Sequence, residues 1–399
     1  MQQVNPGFRH AVINGRTRNS LAISVIDSGG TTYAYFDNKN IVSESLKLTQ
    51  SICDEPDIKF GGCIASTFEI ELSGVPDLTG KRITVGVTST AYAPTYPGAH
   101  LIPGGGAQGG VYPGGSRYNK ILAIFTGTVD SCRLQKNHIT RQLVAYDDFA
   151  RLNDIDCTTW YRSLYANATT ITIGDLRDAI IRQYDIVQAA SGDTQTHVHL
   201  PADSFPVYMM GSDGITVGGL LRMIAEWSGV FLRLDGNGRL VYTTAAIHTI
   251  ESYDYYIDAE AEDFTHSGFD GLYIPQRGIF GFTEDHNNLY LMDNELISTG
   301  YTSPRFAEKW AEVRELLQPN FSAPYVPAEL RAECRLWVDP GDRIEFNMRW
   351  YELSLDGSSA APRDYPVSSL VLSRRISGIQ AMQDEMTADG ESTVISDEE

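Results

Sequence analysis

The sequence predicts an α+β protein that is mainly β. Its 399 residues include 21 tyrosines and 36 glycines, a composition typical of β-rich proteins. Several short runs alternate apolar and polar residues, which is the period-two pattern of half-buried strands. Three other runs carry apolar residues at helical spacing. At roughly 100 to 200 residues per domain, the length predicts two to four domains.

The first strands are predicted near the N-terminus. Residues 21–26 and 33–36 are alternating runs separated by Asp27-Ser-Gly-Gly30, which is typical of a hairpin turn. The strand pattern continues over residues 41–48. A clearer strand follows in residues 64–74, where three apolar side chains alternate with two acidic ones. They are Phe68, Ile70, Leu72, Glu69 and Glu71.

A second hairpin is predicted between residues 121 and 146. Its first strand alternates Phe125 and Val129 with polar residues, and its second, residues 139–146, is rich in β-branched and long side chains. An aspartate pair then opens a helical turn in which two apolar side chains, three positions apart, share a face. The aspartates are Asp147 and Asp148, and the apolar residues are Phe149 and Leu152.

Two amphipathic helices are predicted in the middle of the chain. In residues 172–184, Thr172 and Asp175 suit the N-terminal turn. The second helix, residues 217–227, precedes Gly229, which is placed for a C-terminal cap, and a hairpin around residues 235–238. The apolar stripes contain Leu176, Ala179, Ile180 and Tyr184 in the first helix, and Leu220, Ile224 and Trp227 in the second.

The third helix is predicted after two strands, at residues 278–282 and 288–292, and before the C-terminal strands. Ser303 is expected to cap it, Pro304 lies in its first turn, and Pro319 is expected to end it. Its apolar stripe contains Phe306, Trp310, Val313 and Leu317.

Strands return after this helix. Pro340 and Gly341 suit the second and third positions of a type II turn, and residues 367–372 and 376–382 are predicted to form a strand pair. The last sixteen residues, from Asp384, carry seven acids and no base. This composition predicts a frayed, solvated tail.

Charge and cysteine content exclude several classes of protein. The formal charge of −20, from 51 acidic and 31 basic residues, argues against electrostatic binding of nucleic acid. The five scattered cysteines include no CxxC pair, so reduced thiols are expected rather than disulfides or a zinc ribbon. No run approaches the ~18 apolar residues of a membrane span, and no signal peptide is visible.

A long Gly/Pro-rich segment, residues 91–118, is predicted to be a loop that contacts a neighbouring subunit. Gly104, Gly106 and Gly109 match the spacing of a dinucleotide-binding motif. That motif needs a strand before it and a helix after it, whereas Pro103 precedes it and more Gly and Pro follow. A nucleotide site is therefore not predicted.

Residues capable of chemistry do not form a recognisable motif. His197 and His199 would point the same way on a strand, but two imidazoles are too few for a metal site. Three copies around an axis would supply six nitrogens; we favour a solvated pair. The acid pairs Asp147-Asp148 and Glu284-Asp285 are interpreted as solvated turns. We predict no enzyme activity, no cofactor and no metal, and no catalytic or binding residues.

Five stretches, taken in order, resemble the tail-hub (baseplate-hub) proteins of bacteriophages. Residues 44–63, 80–85 and 127–161 are similar to the first domain of that family, and residues 217–240, a helix followed by a Gly-rich hairpin, are similar to its middle domain. Residues 293–297, with the sequence Asp-Asn-Glu-Leu-Ile, are similar to a segment of its third domain.

The resemblance implies a three-part architecture. Two tube-type β domains, barrel or sandwich, would occupy residues 1–150 and 249–383. A mixed α/β domain would occupy residues 151–248, and an acidic disordered tail residues 384–399. Three copies would close into a ring that presents about sixfold symmetry to the tail tube and threefold symmetry to the tip.

The resemblance also implies partners and a location. The homotrimer would join the tail tube or distal tail protein to tip, spike or fibre proteins, anchor the tape-measure protein and form the channel or gate for DNA ejection. DNA would pass without sequence-specific binding. Assembly would occur in the bacterial cytoplasm and the product would lie in the virion tail. The alternative is a host-receptor or carbohydrate-binding adhesin of the tail tip, which tyrosines exposed near Tyr253 would favour.

Overall fold

The computed structural model is mainly β with some helices, in agreement with the predicted class: 41% of the chain is strand and 21% is helix. It describes residues 4–14, 16–26, 31–53, 58–92, 117–189, 199–244, 250–275, 277–284, 287–350, 363–379 and 381–388. Several predicted features lie outside these ranges: the turn at residues 27–30, most of the 91–118 loop, His197, Asp285 and residues 389–399.

The described residues form twenty-one strands and seven helices. In chain order they are α1 (Pro6–Asn14), β1 (Arg16–Ile26), β2 (Thr32–Phe36), β3 (Lys47–Ser51), β4 (Thr67–Ser73), β5 (Arg82–Tyr92), β6 (Arg117–Leu134), β7 (Thr140–Asp147), α2 (Asp148–Asp154), α3 (Thr158–Leu164), β8 (Thr170–Thr172), α4 (Ile173–Gln183), β9 (Pro206–Tyr208), α5 (Val217–Trp227), β10 (Phe231–Leu234), β11 (Leu240–Thr243), β12 (Ile250–Tyr253), β13 (Asp258–Ala261), β14 (Gly271–Ile274), β15 (Gly278–Gly281), β16 (Leu289–Leu291), α6 (Glu295–Ser298), α7 (Ser303–Phe321), β17 (Ala328–Glu333), β18 (Arg343–Trp350), β19 (Arg363–Leu370), β20 (Ser373–Ser377) and β21 (Gln383–Ala388).

One sheet of eleven strands dominates the structure, in the order β13-β17-β21-β20-β3-β4-β7-β6-β5-β1-β2. All of its neighbouring strands are antiparallel. Seven strands come from the N-terminal part of the chain and four from the C-terminal part. They join where β3 pairs with β20, with Leu48 opposite Ile376. The two predicted β regions therefore share one continuous sheet.

The predicted strand and hairpin between residues 64 and 154 are confirmed. In β4, Phe68, Ile70 and Leu72 are fully buried, as their alternation predicts. β6 and β7 pair as a hairpin whose register shifts at a bulge near Val129. The Phe125 ring stacks on Phe68 with centroids 5.2 Å apart, so the two predicted elements share one core.

The predicted helices α4 and α5 are confirmed, together with their caps. The Thr172 hydroxyl accepts a hydrogen bond from the Asp175 amide at the start of α4. The stripe of α5 is fully buried, and Gly229 follows it with a φ of +63°. A Cβ at Gly229 would lie 2.6 Å from the Phe321 ring, so both backbone conformation and space require glycine.

The predicted ends of α7 were wrong. Thr302, rather than Ser303, is the N-cap, and Pro319 lies inside the helix, which continues to Phe321. Proline removes only one amide donor near a C-terminus, and tertiary contacts hold the last turn. Asn320 donates to the Ser228 carbonyl at 2.9 Å and accepts from the Thr244 hydroxyl at 2.8 Å.

Three predictions about strands also need correction. The strand expected at residues 41–48 begins only at Lys47, and Ile41 forms an isolated bridge. The strand pair expected at 367–372 and 376–382 is divided differently: β19 pairs with β18, and β20 pairs with β21. Residues 384–388 are not part of a tail, because residues 383–388 form β21. The pairs β18–β19 and β20–β21 join strands that are neighbours in the sequence, and alternation alone does not specify which strands pair.

Candidate functional site

The two outer strands of the large sheet are the first candidate site. Within the described ranges, β2 pairs only with β1 and β13 pairs only with β17. Unpaired amides and carbonyls make such an edge a template for another chain. In β2, Tyr33 and Tyr35 are 53% and 61% exposed. Both edges are therefore available for association.

The backbone of β13 presents alternate amides to solvent. The Glu262 amide, just after this strand, donates inward to the Pro327 carbonyl at 3.0 Å. Because inward and outward amides alternate along an antiparallel pair, the Glu260 amide also faces inward, whereas the Ala259 and Ala261 amides face outward.

The two edges have different chemistry. The segment from Asp254 to Phe264, which contains β13, carries five acids and no base. It also exposes 82% of Tyr255 and 54% of Ile257. β2 has the sequence Thr-Tyr-Ala-Tyr-Phe and carries no charge. Pairing two β13 edges would place acids opposite acids, so unlike edges fit together better than like edges.

A groove of about 970 Å³ lies between the exposed face of the sheet and α2. Its lining residues include Thr67, Thr128, Tyr146, Asp148, Asp154 and Arg222. Asp148 accepts two hydrogen bonds of 2.6 Å from the Arg82 guanidinium, so its charge is compensated.

Asp147 caps α2 from a buried position. Its carboxylate accepts hydrogen bonds from the Ser66 amide at 2.9 Å and the Phe149 amide at 3.0 Å. Burial raises the pKa of Asp147 to about 6. The interpretation of Asp147-Asp148 as a solvated pair was therefore wrong, because one carboxylate is buried as a cap and the other is ion-paired.

The tyrosines near Tyr253, whose exposure would favour the adhesin alternative, do not form an exposed cluster. Tyr253 is 2% exposed, and the Arg335 guanidinium lies 3.8 Å from its ring centroid. Arg335 also donates to the buried Glu251 carboxylate at 2.8 Å. Tyr255 alone of the three adjacent tyrosines is fully exposed; it lines a small pocket of about 190 Å³.

A buried ion pair stabilises the C-terminal strands beside the β3–β20 joint. The Arg374 guanidinium on β20 donates to both oxygens of Asp384 on β21, each at 2.9 Å. Asp384 also accepts from the Arg335 amide at 2.9 Å. The pair was not predicted, because the acidic composition from Asp384 onward predicts a tail; in the structure, alternate residues of 383–388 are buried.

The described part of the chain offers little for metal binding. His199 is exposed, with Nδ1 3.7 Å from an Asp203 oxygen. Among the described residues, no three His, Cys, Asp or Glu side chains are grouped to hold an ion. The five cysteines all lie in described segments, are buried and form no disulfide with one another. Every described helix is too short or too polar to span a membrane.

Comparisons with known proteins identify similar solved structures only. No family model matches the chain, and no curated protein matches it. The 43 kDa tail protein of prophage MuSo2 from Shewanella oneidensis is 15% identical with a TM-score of 0.49, covering 92% of this chain and 96% of that one. The tail protein from Neisseria meningitidis MC58 is 14% identical with a TM-score of 0.46, covering 92% and 95%. The p2 virion baseplate in its activated conformation is 10% identical with a TM-score of 0.30, covering 93% and 99%.

Proposed function

We propose that the chain is a structural protein of a phage tail: a hub whose three copies form a ring between the tail tube and the tail tip. The observation that carries the proposal is the continuous sheet of eleven strands, whose unlike edges β2 and β13 pair with no further described strand. The ordered sequence resemblance across the N-terminal, middle and C-terminal parts of the chain supports the same role.

Unlike edges favour a ring over a symmetric dimer. A contact between β13 of one copy and β2 of the next is head-to-tail, and such contacts close into rings when the rotation allows it. Closure of three copies would place thirty-three strands around the axis, from eleven per copy. Because barrels of 16–18 strands already enclose an aqueous channel, this ring would leave a wide lumen.

The exposed face of the sheet suits the wall of such a channel. One row of exposed charged residues crosses the strands β13, β17, β21 and β20. In that order the residues are Asp258, Arg331, Glu385 and Arg375. Arg375 and Glu385 are 3.6 Å apart, so the two charges compensate each other. Binding of phosphates requires uncompensated Lys and Arg, and a wall of alternating charges would therefore let DNA pass with little retention. The tape-measure protein and the tube and tip proteins would be the further partners.

Assembly can be tested by size-exclusion chromatography with light scattering. We expect a trimer, and we expect Ala261→Pro to give a monomer that keeps the wild-type circular dichroism spectrum, because only an outward amide is removed; loss of the subunit contact alone should lower its melting temperature modestly. The matched variant Glu260→Pro removes an inward amide and should lower the melting temperature further. A wild-type chain that remains monomeric at high concentration would contradict the ring, and glycan binding by that monomer would favour the adhesin alternative.

A further inference from the structure

The three-stranded sheet β15-β14-β16 has one face packed on α7 and one face open. On the packed face, Phe280 contacts the Phe306 ring at 4.9 Å and the Trp310 ring at 5.8 Å. On the open face, Ile279 lies opposite Tyr273, and Tyr273 lies opposite Leu291. Ile279 is 43% exposed and Leu291 is 47% exposed. We call this row of three side chains the apolar row.

The adjacent positions on the same side of the sheet carry no charge, although Gly271 and Leu289 are buried, so that only the apolar row itself is open. The neighbouring register positions are Gly281, Gly271 and Leu289. A Cβ at Gly271 would lie 2.8 Å from Leu289 Cδ2, so the Leu289 side chain lies over the glycine. Among these six register positions, the Tyr273 hydroxyl is the one polar side-chain group.

Acids flank the apolar row at both ends of the strands. Glu284 follows β15 and Asp293 follows β16, and both are exposed. β15 runs antiparallel to β14, whereas β16 runs parallel to it, so β15 and β16 end at opposite ends of the sheet. Glu284 and Asp293 therefore lie at opposite ends as well. The nearby base, Arg277, donates to the Tyr301 carbonyl at 3.0 Å and faces the packed side. The open face is thus an apolar stripe between two negative charges.

We propose that this face binds a short amphipathic helix of another protein that carries Lys or Arg on both sides of an apolar stripe. Strands are ~4.8 Å apart, so the apolar row spans about 10 Å. Helix positions i, i+4 and i+7 span a similar length at ~1.5 Å per residue. A helix across the strands would place its two flanks beside Glu284 and Asp293.

Charge argues against a second copy as the occupant. Three partly exposed side chains offer a few hundred Å² at most, which suits a weak contact with one short helix rather than a stable interface. Pairing two such faces would also bring acids against acids, whereas a basic helix is attracted. The proposal does not depend on the ring.

The test is fluorescence anisotropy with the full chain and a labelled helical peptide of about 14 residues, with leucines in one stripe and lysines on both flanks. We expect it to bind about tenfold more tightly than the same peptide with glutamates in place of lysines. Leu291→Ser should weaken binding by about tenfold, and Ile279→Ser should do the same if Leu291→Ser fails to fold.

The control is Leu316→Ser, because Leu316 on α7 is 55% exposed but lies outside the apolar row. It should leave binding unchanged. Equal binding of the lysine peptide to Leu291→Ser and wild type would identify nonspecific attraction to an acidic protein and overturn the proposal. A self-associated chain that Leu291→Ser converts to a smaller species would also overturn it, because the face would then bind a second copy.

Discussion

The large sheet and the helical middle region hold their buried acids in opposite ways. In the sheet, Asp384 is fully buried against the Arg374 guanidinium, with two hydrogen bonds of 2.9 Å. In α5, Glu226 is nearly as buried, but its partners are neutral. The Tyr290 hydroxyl and the Asn294 amide group each donate to it at 3.0 Å.

The two arrangements shift pKa values for different reasons. Burial lowers the pKa of Arg374 most strongly, but the Asp384 charge, together with Cys334, the hydrogen bond to Asp384 and the Asp339 charge, raises that pKa above its usual value. Burial raises the pKa of Glu226 to about 7; hydrogen bonds from Tyr290 and Asn294 and the charge of Lys59 oppose the shift, and Asp293 adds to it. A buried acid whose partners are neutral therefore holds its proton to a higher pH than an exposed acid does.

The largest expected effect is at the paired acid. Arg374→Met leaves Asp384 buried without a cation, and we expect a loss of about 3–5 kcal/mol in the free energy of unfolding measured with urea. The double variant Arg374→Met, Asp384→Leu should recover most of that loss. A single variant within about 1 kcal/mol of wild type would show that the pair contributes little.

The next effect is the pH dependence contributed by Glu226. Its pKa is raised from 4.5 to about 7 in the folded state, so between these values the folded chain holds a proton that the unfolded chain has lost. Stability should fall by about 3 kcal/mol as pH rises from about 4.5 to 7, and then level off. Glu226→Gln should flatten this part of the curve. An unchanged slope would contradict the assignment.

Asp147 tests an intermediate case, a buried acid bound by backbone amides. Its pKa is raised from 3.8 to about 6, so its contribution to stability falls as pH rises through that window, by about 2–3 kcal/mol. Asp147→Asn keeps an oxygen for the cap and should remove only the Asp147 share of the slope, so that the slope below pH 4.5 disappears and the Glu226 share between 4.5 and 7 remains. Unfolding curves at several pH values separate the two.

The smallest effect is expected at the partly exposed pair Arg82–Asp148. The Arg82 side chain is 39% exposed, so water and salt screen the attraction. Arg82→Gln should cost about 1 kcal/mol or less and the cost should shrink at high salt. A cost as large as that of Arg374→Met would show that burial is not what separates the two pairs.

Local sequence patterns correctly predicted the elements whose determinants lie within one segment. Helices α4 and α5 combine an apolar stripe with a hydroxyl cap, and the turn before β18 contains Pro340 and Gly341. Gly341 has a φ of +94°, and the Asp342 amide donates to the Asp339 carbonyl at 3.0 Å, as the type II prediction requires. Such signals depend on neighbours within a few residues.

Elements that depend on distant partners were mispredicted or missed. Composition alone made residues 383–388 resemble a tail, yet Asp384 is buried there because Arg374 neutralises it. No strand was predicted at the position of β13, so the sequence did not indicate the candidate edge site. The pairing of β13 with β17 brings together residues about 70 positions apart, which period-two alternation cannot specify.

The amino-acid sequence by itself determined the class of fold, most strands and helices, and the absence of a recognisable catalytic motif, because periodicity, caps and turns act over a few residues. Only the tertiary structure decided that the N- and C-terminal parts share one sheet, which strands form its edges and which acids are buried. Those outcomes depend on long-range pairing and on desolvation, and both are properties of the folded chain as a whole.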